Sequence, residues 1–167
     1  MGVLGYAGGM PVTHTEERSR ILEFLQHNSV GVLATVDPNG EPHAAAIYFT
    51  VDDDFNISFL TKTGTKKHDN LKHHNHAMLV AYDAKSQTTA QVKGTVTEIT
   101  DVTRMQRVFS DILKISMKTS EAGVMPLDKL QAGEYVAYSL DPKEIRMAVF
   151  IRPDPGDYSQ IFETVSP

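Results

Sequence analysis

The sequence predicts a mainly β fold, an antiparallel barrel or sandwich with flanking helices. Short runs rich in β-branched residues alternate with strong turn signals, as in Val30–Val36, Asp37-Pro38-Asn39-Gly40 and His43–Val51. No β-α-β alternation with a Gly-rich fingerprint is present, which argues against a doubly wound parallel sheet. A chain of 167 residues, 41% apolar, suits one domain with one core.

The elements follow in order. Thr13-His14-Thr15-Glu16 reads as a capping box, and Ile21, Leu22 and Leu25 follow at helical spacing, so a helix is expected over about 15–27. It ends near Asn28-Ser29. Two strands then form a hairpin around Asp37–Gly40. Asp52-Asp53-Asp54 turns the chain into a third strand, Ile57–Thr61. Thr63-Gly64-Thr65 breaks that strand, and a short helix is expected over Lys66–His73. Ala77–Tyr82 is a continuous apolar run, the pattern of a strand buried on both faces.

Thr88–Ile99 is a longer strand. Val92, Gly94 and Val96 share one face, and Gln91, Lys93, Thr95 and Thr97 share the other. Gly94 marks a bulge or barrel bend. Asp101 caps a helix over about 102–116, whose core face is read as Val102, Met105, Phe109, Ile112 and Leu113. Residues 117–133 look irregular. Two last strands, Glu134–Leu140 and Glu144–Ile151, flank a turn at Asp141-Pro142. Residues 1–12 read as a leader, 13–152 as the domain and 153–167 as a C-terminal arm.

Composition removes several function classes. There is no cysteine, hence no disulfide, thiolate metal site or cysteine nucleophile. This fits a reducing compartment, and a cytoplasmic location is expected. A net charge of -5 supplies no global basic field for nucleic acid or anionic membrane. No apolar run approaches the ~18 residues of a membrane span. No metal site is expected. His68, His73, His74 and His76 cluster, but lack ligand spacing and read as solvated helix-end histidines. Asp52–Asp54 lacks the further ligands of a calcium loop, and Ser29, Ser58 and Ser86 lie in no nucleophile elbow. Tyr48, Tyr82 and Phe59 are open to two roles, stacking on a planar ligand or packing in a core or interface.

The chemistry concentrates in Leu60-Thr61-Lys62-Thr63-Gly64-Thr65-Lys66-Lys67. A strand ends here and a helix begins with Thr65 at its N-cap. Lys66 and Lys67 then occupy the first turn, the unfavourable end of the helix dipole for cations, at ~0.3–1 kcal/mol each. A phosphate resolves the conflict, because ammonium groups, threonine hydroxyls and free helix amides converge on one anion. The alternative is a solvated turn with two surface lysines. The spacing is not that of a Walker loop.

This segment, followed by Asn70-Leu71 and the strand Ala77–Tyr82, resembles the flavin-binding core of the pyridoxamine 5'-phosphate oxidase-like split barrels. The hairpin 31–43 and the strand Gln91-Val92-Lys93-Gly94-Thr95-Val96 are similar to that family's opening hairpin and later strand. The resemblance covers about residues 15–150. It implies a six-stranded antiparallel Greek-key split barrel and an FMN-dependent oxidoreductase. It further implies a homodimer with the flavin in the cleft between protomers, acting on a small molecule. By the same resemblance, Thr65, Lys66 and Lys67 hold the FMN phosphate, and Leu60 and Thr61 touch the ribityl chain or phosphate. His43, Ala45, Ala46 and Ile47 run beside the isoalloxazine through backbone groups, and Gln91 reaches the ring from the partner.

The chain departs from the oxidase itself. Phe109–Ser116 contains no arginine, and Arg146 and Arg152 lack the Arg-x-His spacing of the oxidase's substrate element. Pyridoxamine 5'-phosphate is therefore not the implied substrate, and a flavin or deazaflavin reductase role fits instead. Lys62, Lys72 and Lys93 are candidates to line a deazaflavin groove. A non-enzymatic flavin- or haem-related binding protein is the rival class.

Overall fold

The computed structural model describes residues 14–119, 134–150 and 162–165. Among the described residues, three helices and seven strands follow one another as α1 (His14–His27), β1 (Val30–Val36), β2 (Pro42–Val51), β3 (Ile57–Lys62), α2 (Lys66–His73), β4 (His76–Asp83), β5 (Thr88–Glu98), α3 (Val102–Thr119), β6 (Tyr135–Val149) and β7 (Phe162–Val165). The strand order is β3-β2-β1-β4-β5-β6-β7, and a further β3–β6 ladder closes six strands into a barrel. All pairings are antiparallel. β4 returns beside β1 after the β1-β2-β3 meander, which is a Greek key.

Local chemistry explains the connections. Asn28 ends α1 by donating both its amide N–H and its side-chain N–H to the Phe24 carbonyl. The Asp37 carboxylate accepts the amides of Asn39 and Glu41 and so closes the β1–β2 hairpin. Asp52 does the same for Asp54 and Asn56. The Asp101 carboxylate accepts the Arg104 amide at 2.6 Å and caps α3. The capping box at Thr13 lies outside the described residues.

Inside the barrel, Phe49, Phe55, Phe59, Leu33, Leu79, Val92, Leu140 and Ile145 are fully buried with Ile21 and Leu25 of α1. Each such side chain contributes ~1.5–3 kcal/mol on leaving water. Phe59 stacks on Tyr138 at 5.6 Å and belongs to this core.

Three sequence expectations change. Asp141-Pro142 does not turn the chain, because residues 135–149 form one continuous strand. Pro142 pairs with Gly94 and Glu144 with Lys93, so Lys143 is a bulge residue that absorbs the irregularity. Gly94 permits it: a Cβ there would lie 2.1 Å from the Asp141 carbonyl oxygen. The buried face of α3 is also rotated. Val108, Ile112 and Ser116 are buried, Met105 and Phe109 are only partly covered, and Val102 is exposed. Finally, β4 is not covered on both faces within one chain. Ala77, Leu79 and Ala81 point into the core, while Met78, Val80 and Tyr82 point outward and Tyr82 is 58% exposed. Of the C-terminal arm, Phe162–Val165 pairs with β6.

Candidate functional site at the β3–α2 turn

β2 and β3 pair only over Phe49–Val51 and Ile57–Phe59, and then part. Beyond that point β3 pairs with β6 through Thr61 and Lys62, and β2 pairs with β1 through Pro42–Tyr48. The edge of β2 that faces β3 is thus open over residues 42–48. α2 follows directly from β3 and packs against β1, β2 and β3 at this split.

The turn into α2 is rigidly tied. The Thr63 amide donates to the Glu134 carbonyl, and Gly64 takes the left-handed conformation, φ +71°, that the turn requires. Thr65 occupies the N-cap in extended geometry, but its hydroxyl does not cap the helix. It donates instead to the Lys62 carbonyl at 2.8 Å and lies 3.0 Å from the Thr61 hydroxyl. The first-turn amides of α2 are therefore left without a side-chain cap, next to two lysines. Lys66 is exposed. Its charge helps to hold the Asp37 carboxyl below its usual range, after the hydrogen bond that Asp37 accepts from the Glu41 amide. Burial holds the Lys67 ammonium below the ordinary lysine value. Asp69, exposed, is the acid of this turn.

Two buried polar contacts anchor the helix. The His68 Nδ1 and Tyr138 hydroxyl form a 3.0 Å hydrogen bond, and both residues are 4% exposed. Burial, reinforced by Glu98 and Asp69, pushes the Tyr138 phenol above its usual value. The Asn70 side-chain N–H donates to Thr35 Oγ1 on β1 at 3.0 Å. His68 is thus a correction, since it is not a solvated histidine; helical periodicity places it on the same buried face as Leu71. His73, His74 and His76 are exposed. Among the described residues, no three metal-ligating side chains gather.

The expected site residues divide into three groups. Thr61, Thr65, Lys66 and Lys67 come together at the turn. His43, Ala45 and Ile47 point inward from the open strand β2, and Ile47 is part of the core. His43 adds a feature that no sequence signal marks. Among the described residues, its Nδ1 is the buried side-chain nitrogen or oxygen that lacks a hydrogen-bond partner. Leu60, Ala46 and Gln91 face outward instead. Leu60, like Tyr48 and Met105, packs against the cluster of Ile99, Val108, Ile112 and Ala137 beneath α3. Ala46 and Gln91 belong to a face built from β2, β1, β4 and β5, where Ala46 pairs with Val32, Val32 with Val80, and Val80 with Gln91. Strand alternation alone separates Ala46 from Ala45 and Leu60 from Thr61; which face is the inner one is decided by barrel closure.

The family model described as pyridoxamine 5'-phosphate oxidase matches residues 18–148. The chain belongs to that family. Members of the pyridoxamine 5'-phosphate oxidase family and its relatives also appear among solved structures of similar fold. General stress protein 26 of Bacillus anthracis superposes with a TM-score of 0.61 at 21% identity, covering 81% of this chain and 94% of its own. A pyridoxamine 5'-phosphate oxidase-related, FMN-binding protein of Nostoc punctiforme has a TM-score of 0.55 at 16% identity, covering 100% and 99%. A haem-binding protein of Mycobacterium smegmatis has a TM-score of 0.62 at 14% identity, covering 95% of this chain and 60% of its own. At these identities the likeness is one of fold. The curated proteins include no match. Among the described residues, no helix is long and apolar enough to cross a membrane.

Proposed function

We propose that the chain is an FMN-binding oxidoreductase that works as a homodimer on a small-molecule substrate. One observation carries the cofactor assignment. The N-terminus of α2 has two lysines, one of them partly desolvated, and no side-chain cap. Such an end favours an anion through both its free amides and its charge. The orphaned His43 Nδ1 on the open edge strand and the Thr61–Thr65 hydroxyl pair are polar groups that fit a phosphorylated flavin at the same split. FMN, when bound, supplies the hydride and electron chemistry. The residues of the chain bind and orient it: Thr65, Lys66 and Lys67 at the phosphate, and the open β2 edge along the ring.

The lysines first considered for a longer deazaflavin do not line one groove. Lys62 and Lys93 lie opposite Tyr135 and Glu144, nine residues and ~30 Å apart along β6, and Lys72 is exposed on α2. The test is absorbance and fluorescence titration of the purified protein with FMN. Saturable binding at micromolar or tighter affinity is expected, and an unshifted flavin spectrum with unquenched emission would reject the reading.

The homodimer is supported by the uncovered outer face. Val32, Val36 and Tyr82, at 44%, 38% and 58% exposure, form an apolar patch with Val80, Met78 and Ala46. Among the described residues, α3 packs on the side of the barrel formed by β2, β3 and β6 and leaves this face uncovered. A bare apolar sheet face of this kind marks an interaction surface. It also accounts for the unbroken apolar run of β4, whose outward residues need a partner chain. Gln91, on the same face, is then placed at the interface. Val32→Glu is expected to convert the dimer to folded monomer in sedimentation velocity. A wild-type chain that is itself monomeric would remove the proposal.

A further inference from the structure

A pocket of about 290 Å³ lies on the outer side of β3, between that strand, β6 and α3. Its walls are Leu60, Met105, Phe109 and Tyr135, with Gln106 as the amide among them. The rotated packing of α3 creates it, because Val108 and Ile112 seat the helix on the barrel and leave Met105 and Phe109 half-covered at the edge. The volume is close to the lower bound of small-molecule sites, ~300 Å³. Beside the pocket, against its Tyr135 wall, the Lys62 ammonium lies 5.6 Å from the ring centroid, as expected for cross-strand neighbours on one face.

We infer that this pocket binds a small planar apolar anion, in chemical class an aromatic carboxylate. Aromatic and thioether walls favour a flat apolar body; among the described residues no carboxylate lines the cavity, and Lys62, packed against its Tyr135 wall, places a positive charge beside it. Strand alternation ties the pocket to the β3–α2 turn. Leu60 and Lys62 point toward the pocket, while Thr61 between them points to the hydroxyl of Thr65. The end of β3 thus carries a ligand pocket on one face and the phosphate turn on the other. Its role as the substrate pocket rests on the flavin reading above, whereas the binding itself does not.

The test uses 2-naphthoate as probe, titrated into the full chain by calorimetry with and without FMN, beside uncharged 2-naphthamide. Saturable naphthoate binding is expected, about tenfold or more tighter than the amide. Lys62→Gln should erase that preference. Met105→Trp, which fills the cavity, should weaken both ligands about tenfold or more and leave FMN affinity unchanged. Absence of saturable naphthoate binding, or binding indifferent to both substitutions, overturns the inference. Naphthoate binding with the expected pattern in a chain that takes up no FMN upholds the pocket and rejects only the flavin reading.

Discussion

Gly94→Ala is expected to destabilise the protein by about 3 kcal/mol, at the upper end of the cost of overpacking. The new methyl would meet the Asp141 carbonyl oxygen at 2.1 Å, its carbon at 2.9 Å and Leu140 Cδ2 at 3.0 Å. Two of these atoms are backbone, held in the β5–β6 ladder on both sides of the bulge. A flexible side chain could rotate away; a bulged strand anchored by Pro142 cannot. The measurement is equilibrium urea unfolding, read as a lowered midpoint at unchanged slope. A midpoint equal to wild type would show that the strands do not approach so closely.

Lys66→Ala is expected to weaken FMN by about 1.5–3 kcal/mol, roughly 10–150-fold, the worth of a charge-assisted hydrogen bond to phosphate. The same substitution should leave the stability of the flavin-free protein within about 1 kcal/mol of wild type. An exposed cation at a helix N-terminus is mildly unfavourable, and attraction to Asp37 offsets that only in part. The two effects thus separate a ligand role from a structural one. Fluorescence titration gives the first and urea unfolding the second. Unchanged FMN affinity in a folded dimer would reject Lys66 as a phosphate ligand. Raised salt should weaken FMN in the wild type more than in the variant, because one charge fewer remains to be screened.

Much of the architecture was legible in the residues. Turn chemistry located the hairpins, since Asp37 and Asp52 each bind the amides that follow them. Capping located α3, and the strand end, glycine and paired lysines located the turn into α2. These signals are local: a side chain and the backbone within four residues of it. Misreadings arose where a distant strand decided the outcome. Asp141-Pro142 has the composition of a turn, yet β5 on one side holds it extended, with Gly94 making room. The Thr65 position was readable as an N-cap, but its hydroxyl turns to Lys62 and Thr61 because the turn folds back on the strand.

By itself, then, the sequence determined the helices and the strands up to β5, the absence of thiol chemistry, and a strand-to-helix turn between β3 and α2 that carries two lysines. Local hydrogen bonding and side-chain periodicity suffice for each of these. Tertiary structure alone decided which residues share a site. Closure of β3 onto β6 pulls β3 away from β2, opens the edge beside His43, and decides that the Leu60 face of β3 lies under α3 while the Thr61 face meets the turn into α2. It also buries His68 against Tyr138, 70 residues away, and seats α3 on one half of the barrel. Spacing along the chain carries no information about such pairings, because each is set by which strands meet rather than by which residues are neighbours.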